Sequence, residues 1–214
     1  WLIKNLDTPD ANVVVVGSHV GAVLIPVSKH CKSLIAFEAD IKNYSLLSHN
    51  LALNHCENVT AYNKEIGEKN GSITIKRNLI NTGNTSVSKN TGASGSLYSE
   101  IEMVTLDGTI DLEKIDLIIM DIEGYEPQAL AGASKVLDKT SMLYIEFAPE
   151  QLADFDNDPM QEIELLFSKF SFAYSYTDTV RSYDHASCVQ WLLQNMDKRG
   201  FLCNLLFTKE PLDK

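Results

Sequence analysis

The chain has 214 residues, enough to bury a sizeable core, and is expected to form a single domain over residues 1–214. Its 44% hydrophobic and 22% charged residues are ordinary for a globular protein, and no apolar run is long enough for a membrane span. A net charge of −11 argues against a nucleic-acid backbone or an anionic membrane surface as partner. Residues 12–16, four of them consecutive valines, read as a buried parallel strand. Gly17 and Gly21 then turn the chain into an apolar helix over residues 20–30, with Pro26 an irregularity inside it. Residues 33–38 form a second strand ending on Glu38, and residues 41–54 an amphipathic helix with Asp40 as its N-cap. A third strand covers residues 58–63. Residues 72–77 alternate with period two, as an antiparallel hairpin strand after a turn at Gly71. Residues 81–96 are rich in Gly, Ser, Thr and Asn and belong to an insertion loop over residues 78–100, either a plain surface loop or a lid over a substrate site.

Order resumes with a strand over residues 98–106 and a buried strand over residues 116–122, whose apolar run stops at Asp121. Residues 126–138 read as one helix with Pro127 in its first turn. A strand at residues 142–147, helices at 159–170 and 186–197, and a final strand at 201–208 complete the pattern. Strands and helices alternate through the first two-thirds, which predicts an α/β fold with a doubly wound, mostly parallel sheet and an antiparallel C-terminal strand.

Chemistry concentrates where the strands end. In an open α/β sheet, ligands bind outside the carboxyl ends of the strands, and an acid ending the second strand holds ribose hydroxyls. Glu38, 17 residues after Gly21, fits that role. The G-x-x-x-G spacing of Gly17 and Gly21 suits S-adenosylmethionine enzymes better than the G-x-G-x-x-G of nicotinamide and flavin sites. Asp121 and Glu123 reach the same edge of the sheet, where carboxylates can orient an amine, take a proton from a hydroxyl, or hold a metal. Glu126 sits at a helix start, where negative charge suits the dipole. His19 lies in the glycine turn itself, either as a general base or as a tolerated turn residue. Glu146 ends the next strand and is a further candidate, whereas Tyr125 either walls an acceptor pocket or packs on its helix. Carboxylates alone do not define an ion site, and no metal is assigned. The four cysteines, Cys31, Cys56, Cys188 and Cys203, are far apart and suit a reducing cytoplasm better than a disulfide scaffold. The chain starts at Trp1, so an absent N-terminal segment and pairing with a second copy both stay open.

The strings FEADIKNYSLLSHNLALN, ENV, VTLDG, DLIIMDIEGYEPQALAGASKVL and LYIEF, in that order, resemble the FkbM family of S-adenosylmethionine-dependent methyltransferases. The resemblance runs from about residue 12 to residue 147, and its D-x-E-G segment is the most specific part. It implies a Rossmann-like class I fold and methyl transfer to a hydroxyl of a sugar, lipid or polyketide-type small molecule. By that resemblance Gly17, Ser18, His19 and Gly21 line the methionine end of the cofactor, Glu38 and Ala39 the ribose, and residues 64–67, with Glu65 and Ile66, the adenine edge. Asp121 borders both cofactor and acceptor, with His19 and Glu146 as further proton acceptors and Glu123 and Tyr125 on the acceptor side. The family's D-x-G-A-N-x-G turn reads VVGSHVG here, with Val15 in place of the acid and His19 in place of the asparagine. A lysine frequent two positions before the D-x-E-G aspartate is Ile119. These departures motivate a second reading, a non-catalytic binding module on the same fold. A nicotinamide-dependent oxidoreductase is the third.

Overall fold

The computed structural model describes residues 2–6, 9–77, 86–87, 97–176 and 180–212. Most of the expected 78–100 loop lies outside these residues. In chain order the elements begin with α1 (Leu2–Asn5), β1 (Asn12–Val16), α2 (Leu24–Ser28), β2 (Ser33–Phe37), α3 (Ile41–Leu53) and β3 (Val59–Tyr62). There follow β4 (Glu65–Ile66), β5 (Gly71–Arg77), β6 (Ser86–Val87), β7 (Leu97–Val104), α4 (Leu106–Thr109) and β8 (Ile115–Met120). The remainder is α5 (Glu126–Ala131), α6 (Ser134–Asp138), β9 (Thr140–Phe147), α7 (Pro149–Ala153), α8 (Pro159–Lys169), β10 (Phe172–Tyr176), β11 (Val180–Tyr183), α9 (His185–Leu193) and β12 (Cys203–Thr208).

Eight strands form the central sheet in the order β11-β10-β12-β9-β8-β1-β2-β3. The five strands from β9 to β3 are mutually parallel, and β12 runs antiparallel to both β9 and β10. The alternation of side chains explains the valine run. Val13 and Val15 enter a core with Leu24, Val27 and Leu47, whereas Val14 and Val16 enter one with Leu130, Val136 and Leu166 on the opposite face. A strand covered on both faces has no position for a polar residue. From β1 the chain steps outward to β2 and β3, then returns to place β8 on the other side of β1. This reversal opens a crevice at the carboxyl ends of the strands.

Several elements differ from the sequence pattern. The expected 20–30 helix shrinks to α2, because Gly17, His19 and Gly21 all have positive φ, at 84°, 47° and 94°. Pro26 is harmless there, since an N–H in the first turn has no intrahelical acceptor. The expected 126–138 helix splits into α5 and α6. The Gly132 carbonyl accepts from Asp107 N at 2.9 Å, and the Asp107 carboxylate accepts from Lys135 N and Val136 N at 3.1 and 2.9 Å. An aspartate distant in sequence thus starts α6 anew. The 72–77 strand pairs antiparallel with β7 in a separate sheet of order β4-β7-β5-β6. The β10–β11 hairpin had no counterpart among the expected elements.

Candidate functional site

Four strand ends converge on one cleft of about 200 Å³. Val16 and Gly17 follow β1, Phe37 to Ala39 follow β2, Lys64 to Ile66 follow β3, and Asp121 to Glu123 follow β8, with His19, Asn43 and Ile75 completing the lining. The cleft lies where the strand order reverses, the expected place for a ligand in such a sheet.

The turn after β1 is tightly built. Gly17 N and Ser18 N both donate to the Phe37 carbonyl, at 3.1 and 2.9 Å, and Asp121 N donates to the Val16 carbonyl at 3.1 Å. A Cβ on Gly17 would stand 1.8 Å from the Asp121 carbonyl oxygen, so no side chain fits there. Gly21 makes a packing contact within the protein. Its open side faces Leu47 and Ile25, so its small size lets the turn pack on α3. Neither Gly21 nor Ser18, which is 5% exposed, lines the cleft.

Glu38 is held before any ligand arrives. Its Oε2 accepts from His19 N at 2.8 Å, and its Oε1 accepts from Asp40 N at 2.9 Å and from Asn43 Nδ2 at 3.4 Å. Asn63 Nδ2 donates to the Glu38 and Ala39 carbonyls at 2.8 Å each, which fixes the backbone behind the carboxylate. Burial raises the Glu38 carboxyl above its ordinary range, and the donors around it pull the other way. Asp40, Asn43 and Asn63 carry this preorganisation. Asp40 was legible only as an N-cap, a role it also fills by accepting from Lys42 N and Asn43 N. The asparagines gave no local signal.

Asp121 reaches solvent in the cleft, yet the protein around it removes enough water to raise its carboxyl, with the His19 charge opposing the rise. Glu123 adopts φ of 57° and accepts from Gln151 Nε2 at 2.6 Å. Burial, then the Asp121 charge, raises it, and the bond to Gln151 opposes. Glu146 on β9 is not part of the cleft lining, yet it feels the charges of this pair. Burial pushes it up to about 8, with Asp121, Glu123 and Glu126 adding repulsion. Glu126 accepts from Ile122 N at 2.8 Å and so ties the D-x-E-G turn to α5, and burial raises it to about 7. Glu65 lies 7% exposed in the cleft wall and is raised by burial to about 8. Tyr125 turns away from the cleft: its ring meets Phe155 edge-on at 5.4 Å and its hydroxyl contacts Met103 Sδ at 3.7 Å. Among the described residues no three His, Cys, Asp or Glu side chains converge as a metal cage.

The parallel sheet with its antiparallel C-terminal strands and the cleft at the reversal define a Rossmann-like, class I methyltransferase fold. Residues 16–197 match the family model for the methyltransferase FkbM domain, and the chain belongs to that family. A relative from Sinorhizobium fredii, the 2-O-methyltransferase NoeI, is 35% identical over 68 residues, covering 25% of this chain and 28% of its own. A methyltransferase FkbM from Methylobacillus flagellatus has a solved structure with TM-score 0.59 at 17% identity, covering 93% of this chain and 44% of that one. SMU.1697c, a methyltransferase-like protein of Streptococcus mutans solved in complex with SAH, gives TM-score 0.54 at 12% identity, over 98% of this chain and 96% of that one. The chain therefore spans less than half the length of NoeI and of the Methylobacillus flagellatus protein. Among the described residues no helix is long and apolar enough to cross a membrane.

Proposed function

We propose that this domain transfers the methyl group of S-adenosylmethionine to a hydroxyl oxygen of a small acceptor of the sugar, lipid or polyketide type. The observation that carries this reading is the Gly17 turn, closed against the Asp121 carbonyl, with a preorganised Glu38 carboxylate bonded to the same turn. The residues fit the cofactor. Glu38 offers carboxylate oxygens for ribose hydroxyls, and the left-handed 17–21 turn brings backbone close to its amino-acid end. The name of the rhizobial relative supports a hydroxyl as the methylated group.

The sulfonium cofactor supplies a methyl group that is already activated, so the chain's task is alignment and proton removal. Asp121 borders the cleft near the methyl position and takes the hydroxyl proton. Its raised carboxyl makes it a better base near neutral pH than an ordinary aspartate. His19 is the second proton acceptor. Glu146, up at about 8, is mostly protonated at neutral pH and serves better as a hydrogen-bond donor to the acceptor. Glu123, steadied by Gln151, orients the acceptor. Asp121→Asn should lower turnover by about 10²–10⁴-fold while leaving SAH affinity within a few-fold. Purified protein that neither binds labelled cofactor nor gains heat resistance from it would overturn the proposal.

A second reading, a non-catalytic binding module, rests on Val15 and Ile119. They are direct cross-strand partners in β1 and β8, 2% and 5% exposed. The two positions that carry charge in the family pattern are therefore one adjacent apolar pair here. SAH binding by the unaltered protein excludes an inert cleft, and binding acquired only with Val15→Asp favours the module.

A further inference from the structure

The net charge of −11 hides a local surplus of the opposite sign. Between Ala11 and Cys56 the acids are Glu38 and Asp40, 7% and 1% exposed, so both are withdrawn from the surface. Lys29, Lys32 and Lys42 are exposed over the same stretch, and among the described residues none of the three is ion-paired. Lys29 donates to the Asn54 carbonyl, which leaves its charge uncompensated. The bordering acids, Asp10 and Glu57, precede β1 and β3 at the edge of the sheet opposite the cleft.

The same surface is apolar. Val23, Ile41, Leu46 and Leu53 are 54, 49, 52 and 64% exposed, four of the seven large hydrophobic side chains that stand out among the described residues. Lys42, Leu46, His49 and Leu53 follow one another at helical spacing down one stripe of α3. Asn50, beside that stripe, donates to the Val20 carbonyl at 2.8 Å, and Lys29 reaches Asn54. These two bonds lay α2 along the stripe, so Val23 extends it.

Aliphatic side chains interleaved with lysines suit a helix lying in a lipid interface. The lysine stems cover apolar surface there while the ammonium groups stay among the headgroups. We propose that the α2–α3 face docks this chain on an anionic lipid bilayer. Helices α5 to α9 pack on the opposite face of the sheet. Their carboxylates therefore lie farther from a docked surface than the Debye length of about 8 Å at physiological salt. A second copy is a poorer occupant, because a two-fold contact sets Lys29 and Lys42 against the same lysines of the other copy. The face borders the cleft, since α3 follows directly on Glu38, Ala39 and its cap Asp40.

The test is co-sedimentation of the purified chain with two kinds of vesicle. One is phosphatidylcholine alone, the other equal parts phosphatidylcholine and phosphatidylglycerol. The wild type should bind the anionic vesicles at least about tenfold more tightly than the neutral ones, and high salt should remove most of that preference. Lys29→Gln combined with Lys42→Gln should weaken binding to anionic vesicles by about 30-fold, roughly fivefold per lysine. Leu46→Ser combined with Leu53→Ser should weaken it by about tenfold and leave a salt-sensitive remainder. Lys135→Gln, the same charge change on exposed α6 across the sheet, should bind as the wild type does. Thermal melts establish that each variant is folded, and the lysine pair, being exposed, carries the test if the leucine pair fails to fold. Equal binding to both vesicles overturns the proposal, as does a loss with Lys135→Gln equal to that of the lysine pair. Wild-type dimers in sedimentation velocity that the leucine pair dissolves, with vesicle binding unchanged, also overturn it and assign the face to a second copy.

Discussion

At the scale of single residues, Gly17 and the Asp121 backbone are locked together. Alanine at 17 would meet the Asp121 carbonyl at 1.8 Å in a left-handed conformation, at φ of 84°. Gly17→Ala should therefore displace Asp121 and abolish cofactor binding, with a stability loss of roughly 1–3 kcal/mol readable in urea titration. Val15→Asp alone places an unpaired carboxylate in a core position and should cost roughly 3–5 kcal/mol. Adding Ile119→Lys beside it should return a substantial part of that loss, a coupling that a double-mutant cycle measures directly. Gly17, Glu38 and Asp121 were legible in the sequence because a strand end or a turn announces each of them locally. Asn63 and Gln151 were not, since each acts on a segment far away in sequence, and Asn43, five residues from Glu38, read as an ordinary helix position. Tyr125 stayed open between acceptor wall and helix packing, because position after D-x-E-G does not say which way the ring turns; its ring meets Phe155.

At the scale of elements, α8 carries a feature that hydrophobic patterning alone does not explain. Glu162 is 3% exposed beside Ile163 and Leu166, and both its carboxylate oxygens are buried without a hydrogen-bond partner among the described residues. Burial, reinforced by Glu126, raises its carboxyl well above the ordinary range. Glu162→Leu should stabilise the chain by about 1–3 kcal/mol at pH 8.5 and by less at pH 5, as thermal melts at the two values would show. Two helices, α3 and α8, followed the apolar spacing closely, each with its capping residue local. Asp40 for α3 and Asp158 for α8 are such caps. The restart of α6 escaped notice because its cap, Asp107, is contributed from α4.

At the scale of the whole molecule, raised carboxyls set the pH response. Glu65, Glu126 and Glu146 lie at about 8, 7 and 8 in the folded chain, against 4.5 ordinarily, and Glu162 is also raised well above its ordinary range. Between those values the folded state binds more protons than the unfolded one, so stability must fall as pH rises. Their stabilising share is complete below about pH 4.5 and is lost as pH passes 7 to 8. Melting temperature should accordingly be higher at pH 6 than at pH 8.5, and a flat or rising profile across that interval would contradict the assignment. The doubly wound core was legible because strands covered on both faces read as continuous apolar runs. The β10–β11 hairpin was not, since short segments such as FAYSY lack such a run. That hairpin gives the order of synthesis a consequence. β12 inserts between β9 and β10, although both precede it in the chain. While a ribosome is still making residues 203–208, β9 has an open edge and the hairpin has no seat on the sheet. The nascent chain thus carries two sticky borders until β12 emerges, and a pause before Cys203 leaves both exposed to aggregation.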